Sequence, residues 1–243
     1  MKSYLSALII AISLIIAIFL LSSAYTYKFR TSETVSVVGL AEVDFAADLI
    51  VWEGSFTRKN FSLKDAYADL KNDENEIRAY LRSKGINDST MIFSAVDIMK
   101  EHSNSFDRNG NITGSVFSGY NLTQKVKIES MDIGMVEKLS REVTGLIEKG
   151  IEFNSAAPMY FYTKLASLKM DLLAAASKDA KARAETIAKS AGSGLGDARK
   201  ATMGVFQITG KNKNENFSYG GSFNTVDKFK TASITVRIEY QLK

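Results

Sequence analysis

The chain has no cysteine and only one histidine, one tryptophan and one proline in 243 residues. Without cysteine there is no disulfide, no thiolate metal site, no cysteine nucleophile and no lipidated cysteine of the lipoprotein kind. That absence fits an oxidising compartment without requiring one. A single histidine and no cysteine also remove the usual ligands of a zinc site. The histidine, His102, is the base that any triad here would have to use. It falls in the polar stretch Glu101 to Gly114, beside Glu101, Ser103 and Ser105, which is expected to be a mobile hairpin tip. Such a tip offers neither a third group to lock the imidazole nor shelter from water. His102 is therefore expected to be an ordinary exposed histidine. The many carboxylates are expected on solvated faces.

Phosphate-binding loops are missing too. Gly192, Gly194 and Gly196 follow a helical pattern and precede a strand, whereas a dinucleotide loop must lead into a helix amino terminus. Between Gly204 and Lys211 the spacing is too long for a phosphate loop, and Asn212 stands where a hydroxyl would hold magnesium. No catalytic, cofactor-binding or metal-binding residue is assigned, no cofactor is expected, and the chain is expected not to be an enzyme.

There is little net charge once the amino terminus is set aside. Lys2, Lys28 and Arg30 precede any acid, and without them 31 basic residues fall to 28 against 27 acidic ones. A pI near 9.0 is thus no argument for nucleic acid, which needs a concentrated basic face, and no nucleic-acid partner is expected.

What is present first is a greasy amino terminus. Tyr4 to Leu21 (YLSALIIAISLIIAIFLL) carries no charge, and Ser22 to Tyr25 extend the uncharged run. A bilayer core takes roughly 20 such residues as a helix, whereas a cleavable signal core has about 7 to 15. The length favours a retained anchor. Ser22 and Ala24 are small residues spaced as at a signal-peptidase site, so cleavage after Ala24 is the alternative. The flanking charges, Lys2 before and Lys28 and Arg30 after, do not decide the orientation. With a leading tail this short, the large domain is expected to be exported. The expected arrangement is a membrane anchor or signal segment over residues 1–30 and one domain over residues 31–243. The expected location is the inner membrane with the domain in the periplasm, the alternative being a cleaved, soluble periplasmic or secreted protein.

The stretch around which the rest is organised is Asp179 to Gly196, the second half of a long alanine-lined helix that extends back to Lys164, and the turn that ends it. Leu165, Leu168, Leu172, Ala176, Ala180, Ala184, Ile187 and Ala191 recur near the helical period. Alanine removes bulk, so this face can lie close against a sheet or another helix. Asp179 with Arg183, and Glu185 with Lys189, form acid-before-base pairs worth only tenths of a kcal/mol each. Gly192 and Gly194 end the helix.

Before it, Thr34 to Val43 alternates as a strand, and Leu49 to Trp52 is a continuous apolar run expected in a central strand, with Trp52 filling the core. Ser62 opens a helix whose inner stripe is Leu63, Ala66, Tyr67, Leu70, Ile77 and Leu81, closed by Gly85. Met91 to Ile98 and Val116 to Ile128 flank the polar tip as a hairpin. Ser130 or Asp132 caps another helix ending at Gly150. Strands are expected over Ile151 to Tyr162, where Pro158 implies an edge or bulge, over Ala198 to Ile208 and over Ala232 to Leu242. Without strict strand–helix alternation this is an α+β fold, with a largely antiparallel sheet of about seven strands packed with three helices, preceded by the amino-terminal transmembrane or signal helix. The loop Lys211 to Thr231 carries Phe217, Tyr219, Phe223 and Phe229 among polar residues. These either form an interface with a partner or a second subunit, or fold back over the sheet.

Several of these residues form a pattern. An opening V-x-V-x-G followed by Glu (Val35, Val37, Gly39, Glu42), Asp48 before a hydrophobic strand, and Leu81, Gly85 and Ile86 after the first helix are joined by a D-A-x2-R-A-x3-A-x3-G-x2-L-G run. That run comprises Asp179, Ala180, Arg183, Ala184, Ala188, Gly192, Leu195 and Gly196. In these features the chain resembles the SIMPL-domain family, which includes a bacterial periplasmic immunogenic protein, over about Thr34 to Lys243. Ala41 and Ala47 depart from it, standing where the family often has glycine and proline. The resemblance implies an α+β envelope protein that is a homo-oligomer, with links to stress tolerance and, in one relative, a ring-like assembly. It carries over no catalytic group. The function expected is a self-associating scaffold, or a partner of another envelope protein, tethered to the membrane by its amino-terminal helix. The alternative is a periplasmic small-ligand binding protein with a deep apolar pocket.

Overall fold

The computed structural model describes residues 2–29, 33–213 and 218–243. In chain order its elements are α1 (Lys2–Phe29), β1 (Thr34–Ala46), β2 (Leu49–Asn60), α2 (Leu63–Ser83), β3 (Met91–Phe93), β4 (Asp97–Phe106) and β5 (Ile112–Ser130). Then come α3 (Ile133–Glu142), β6 (Phe153–Ser155), β7 (Met159–Phe161), α4 (Leu165–Ser190), β8 (Leu195–Met203), β9 (Gln207–Gly210) and β10 (Phe229–Leu242). The fold is α+β with antiparallel pairing in the strand ladders, as expected.

Three helices follow the amino-terminal one, but the described strands number ten rather than about seven. The surplus has a local cause. Each of three expected strands is split in two: Met91 to Ile98 into β3 and β4, Ile151 to Tyr162 into β6 and β7 around Pro158, and Ala198 to Ile208 into β8 and β9 beyond Gly204. Pro158 cannot donate to a ladder, so pairing stops there.

The chain forms two compact units, Met1–Ala41 with Leu173–Gly204 and Thr235–Lys243, and Glu42–Leu172 with Val205–Ile234. β1, α4 and β10 contribute residues to both.

The second unit is built around β2. Its neighbours are β5 along one edge and β6 and β7 along the other, so it is the central strand that its continuous apolar run implies. Ile50, Trp52 and Phe56 face a core completed by Leu70, Ile77 and Leu81 of α2, Leu122, Val126 and Ile128 of β5, and Val136 and Leu139 of α3. Trp52 is fully buried, and its indole N–H donates to the Ser155 hydroxyl at 3.0 Å, which confirms it as core. Ser62 caps α2 by accepting from the Asp65 amide, and Asp132 caps α3 by accepting from that of Met135. Gly85, at φ 91°, ends α2 while the Ile86 amide returns to the Leu81 carbonyl.

The inner stripe of α2 differs from expectation at two places. Leu63 and Tyr67 are exposed, and the acids Asp73 and Glu74 are buried instead. The hairpin differs as well. β4 reaches Phe106 and β5 begins at Ile112, so the turn is only Asp107 to Asn111, organised by Asp107 accepting from the amides of Asn109 and Asn111. Beyond Asn60, where β2 ends, β4 and β5 continue as a two-stranded ribbon with most side chains in solvent. A ribbon wet on both faces has no apolar alternation to reveal it.

In the first unit, α4 packs on the sheet through Ala176, Ala180, Ala184 and Ala188, all buried. The row recurs every fourth residue, which turns Ile187 and Ala191 out of the contact. Gly192, at φ 74°, ends the helix as expected. Val37, Val236, Ile238 and Tyr240 are the buried sheet residues with large side chains in this unit, and Gly39 is buried with them.

The helix expected at the amino terminus is present as α1. Among the described residues, however, no helix is long and apolar enough to cross a membrane. The described side chains of α1 run from Ile10 to Thr26, short of the roughly 20 residues that a bilayer core takes.

Candidate functional site

Several of the residues that the sequence pattern picks out are joints within one unit or the other. Gly39 lies against α4 so closely that a Cβ there would sit 2.8 Å from the Ala180 Cβ and closer still to the Ala176 carbonyl oxygen. One residue on, the Leu40 amide donates to Asp179 Oδ2 at 2.9 Å, and Arg183 Nε holds the same oxygen at 2.8 Å. Asp179 thus links strand to helix, Arg183 steadies it, and Ala180 and Ala184 admit the close approach. Asp48 does similar work in the other unit, accepting from the Thr163 amide at 2.7 Å and hydroxyl at 2.8 Å just ahead of α4.

Around this joint lies a groove of about 610 Å³, lined by Ser36, Val38, Ala182, Thr186 and Ile187 and open to solvent. Val38 and Ile187 are 41% and 48% exposed in it. It differs from the enclosed pocket that a small-ligand protein requires.

The strand bordering the groove is an edge strand. In the first sheet the order is β1, β10, β8, and no described strand lies beyond β1. The Glu33 carbonyl oxygen accepts from the Leu242 amide, while the Leu40 amide points the other way to Asp179. By alternation, the backbone groups of Thr34, Ser36, Val38 and Leu40 face away from β10. Thr34 to Ala41 contains no charged residue, whereas the opposite edge strand, β8, carries Asp197, Arg199 and Lys200.

A buried polar cluster in the other unit was not legible as a site. Arg58 grips Asp73 through Nε at 2.5 Å and Nη2 at 2.7 Å, and also donates to the Gly150 carbonyl. Glu74 accepts from Lys71 at 2.8 Å, Arg78 at 3.0 Å and Gln124 at 3.3 Å. Burial pushes the Glu74 carboxyl up, but these donors outweigh it and hold the group below the usual carboxylate range. Donors from β2, α2 and β5 surround the two acids on α2. Nothing in the spacing of one chain segment announces such a cluster.

His102 lies on β4 rather than in the turn, exposed, with its ring 5.9 Å from that of Phe117. Glu101 beside it is ion-paired with Lys59 and accepts from Asn121 at 3.0 Å, and the Lys59 contact lowers its pKa. Among the described residues there is no group of three or more metal-ligating side chains.

The aromatics of the late loop divide. Phe217 lies outside the described residues. Tyr219 stands fully in solvent, and Phe223 and Phe229 are each about half exposed. Phe223 packs with Phe45, Tyr160, Phe161 and Ile208 around a space with no room for a water molecule. The loop is fastened beneath its tip: Gln207 donates to the Ser218 carbonyl at 2.8 Å and accepts from the Ser222 amide at 2.6 Å. Lys230, 2% exposed, donates to the Asn224 carbonyl and side chain.

The joints just described define a class of α+β domain in which an alanine-faced helix lies almost in backbone contact with a glycine of the first strand. The chain belongs to the SIMPL family, described as a protein of unknown function (DUF541), whose profile matches residues 35–240. No curated protein matches the chain.

Proposed function

We propose that this is a non-enzymatic, membrane-anchored protein of the cell envelope whose exported SIMPL domain self-associates as a scaffold. The observation that carries the reading is α1, an unbroken helix whose described side chains, Ile10 to Tyr25 among them, are exposed and uncharged. An apolar helical surface with no polar face has lipid as its natural solvent. The residues Tyr4 to Leu21 supply the charge-free length that a span takes. Gly39, Asp48, Asp179 and Arg183 already have structural duties, which supports a binding rather than a catalytic part. Exposed apolar side chains, such as Tyr219 on its fastened loop, favour contact with other protein surfaces. Light scattering on the full chain in detergent tests the assembly. The expected result is a discrete species larger than one chain; a strict monomer across the concentration range overturns the scaffold.

A further inference from the structure

We propose that the edge of β1 is the site at which two copies of this chain pair, strand to antiparallel strand, about a two-fold axis through Ser36. The inference rests on the self-association just proposed and names its surface.

An edge strand offers a row of unmet backbone donors and acceptors, which only another extended backbone satisfies along its length. Here the row has a defined end. The carboxylate of Asp179 occupies the outward amide of Leu40, which leaves Thr34, Ser36 and Val38 as the outward-facing residues of the open run. The centre of that run is Ser36. A second β1 laid antiparallel then sets Ser36 opposite Ser36, and Val38 opposite Thr34, with every backbone group of the open run matched. Absence of charge from Thr34 to Ala41 means that self-pairing opposes no like charges. The β8 edge, with Asp197, Arg199 and Lys200, is guarded against such pairing.

The groove beside β1 fits the same occupant. Pairing across a two-fold axis normal to the sheet puts both α4 helices on one face of a continuous sheet of eight strands, four from each copy. The Ala182, Thr186 and Ile187 side of one α4 then faces the same side of the other. That contact covers the half-exposed Ile187, and the small Ala182 lets the helices come near. Arg183 meets its counterpart with its charge already answered by Asp179.

The absence of cysteine makes the test clean. In the full chain held in membranes, Ser36→Cys should join two copies on mild oxidation, because directly opposed strand residues lie about 5.5 Å apart, within disulfide reach. Thr235→Cys, on β10, should not. Ser36→Lys and Ser36→Glu should each weaken association several-fold, by opposing like charges across the axis, and mixing the two should restore it. Unchanged circular dichroism will show that these exposed substitutions leave the fold intact. Wild-type oligomers indifferent to Ser36→Lys, with no Ser36→Cys cross-link, overturn this site and leave the scaffold reading standing. Wild-type chains that never associate overturn both.

Discussion

The Leu40 amide is held by the carboxylate of Asp179, 139 residues further along the chain, at 2.9 Å. This bond closes one end of an otherwise open strand edge, and Arg183 fixes the carboxylate that makes it. Replacing Asp179 with alanine should cost about 1 kcal/mol, the net worth of one such hydrogen bond, since the carboxylate is partly solvated. Asp179→Asn keeps an acceptor and should cost less. Urea midpoints of the two variants check the order, and equal midpoints would show that Asp179 does not hold the strand.

Gly39 should tolerate no side chain. A Cβ at this position meets backbone atoms of α4, which cannot rotate away as a side chain can. Gly39→Ala is expected to destabilise by about 3 kcal/mol, the upper part of the range for overpacking. Thermal unfolding will show it, and a midpoint within a degree of wild type would mean that β1 and α4 are not in this contact.

Arg58 matters through what it leaves behind. Asp73 is 6% exposed, so Arg58→Ala strands a buried carboxylate. The expected loss is about 1–3 kcal/mol, below the value for a fully buried pair because the Arg58 side chain is 35% exposed. Arg58→Ala combined with Asp73→Asn should recover part of it. Stability of the two variants by denaturant titration decides the matter.

Glu74 predicts a direction with pH. Its folded pKa lies below the ordinary 4.5, so the unfolded chain takes up the proton first as pH falls. Its stabilising contribution is present in full above about 4.5 and is lost as pH drops through the lower, folded value. Glu74→Gln should make stability less dependent on pH in that acid range and leave its slope near neutrality unchanged. Unfolding midpoints measured from neutral to acid pH are the check.

Much of the scaffold was legible because each segment carries its own signal. Ser62 and Gly85 bracket α2, Asp132 and Gly150 bracket the second helical stretch, and the continuous apolar run at Leu49 to Trp52 marks the central strand. The ribbon beyond Asn60 was hidden because His102, Asn104 and Ser115 alternate with nothing apolar enough to show the period. The breaks at Pro158 and Gly204 each divide one expected strand into two, and the gap from Ser94 to Val96 divides a third. Asp73 and Glu74 were read as solvated because burial of a charge depends on partners such as Arg58 and Gln124, which are remote in sequence. The edge of β1 was likewise invisible, since alternation shows a strand but not which side of it lacks a neighbour.

The most direct measurement is the intact mass of the full chain recovered from carbonate-washed membranes. The account predicts that the polypeptide stays with the lipid and retains every residue from its amino terminus. Recovery of the intact chain in the soluble fraction would contradict it.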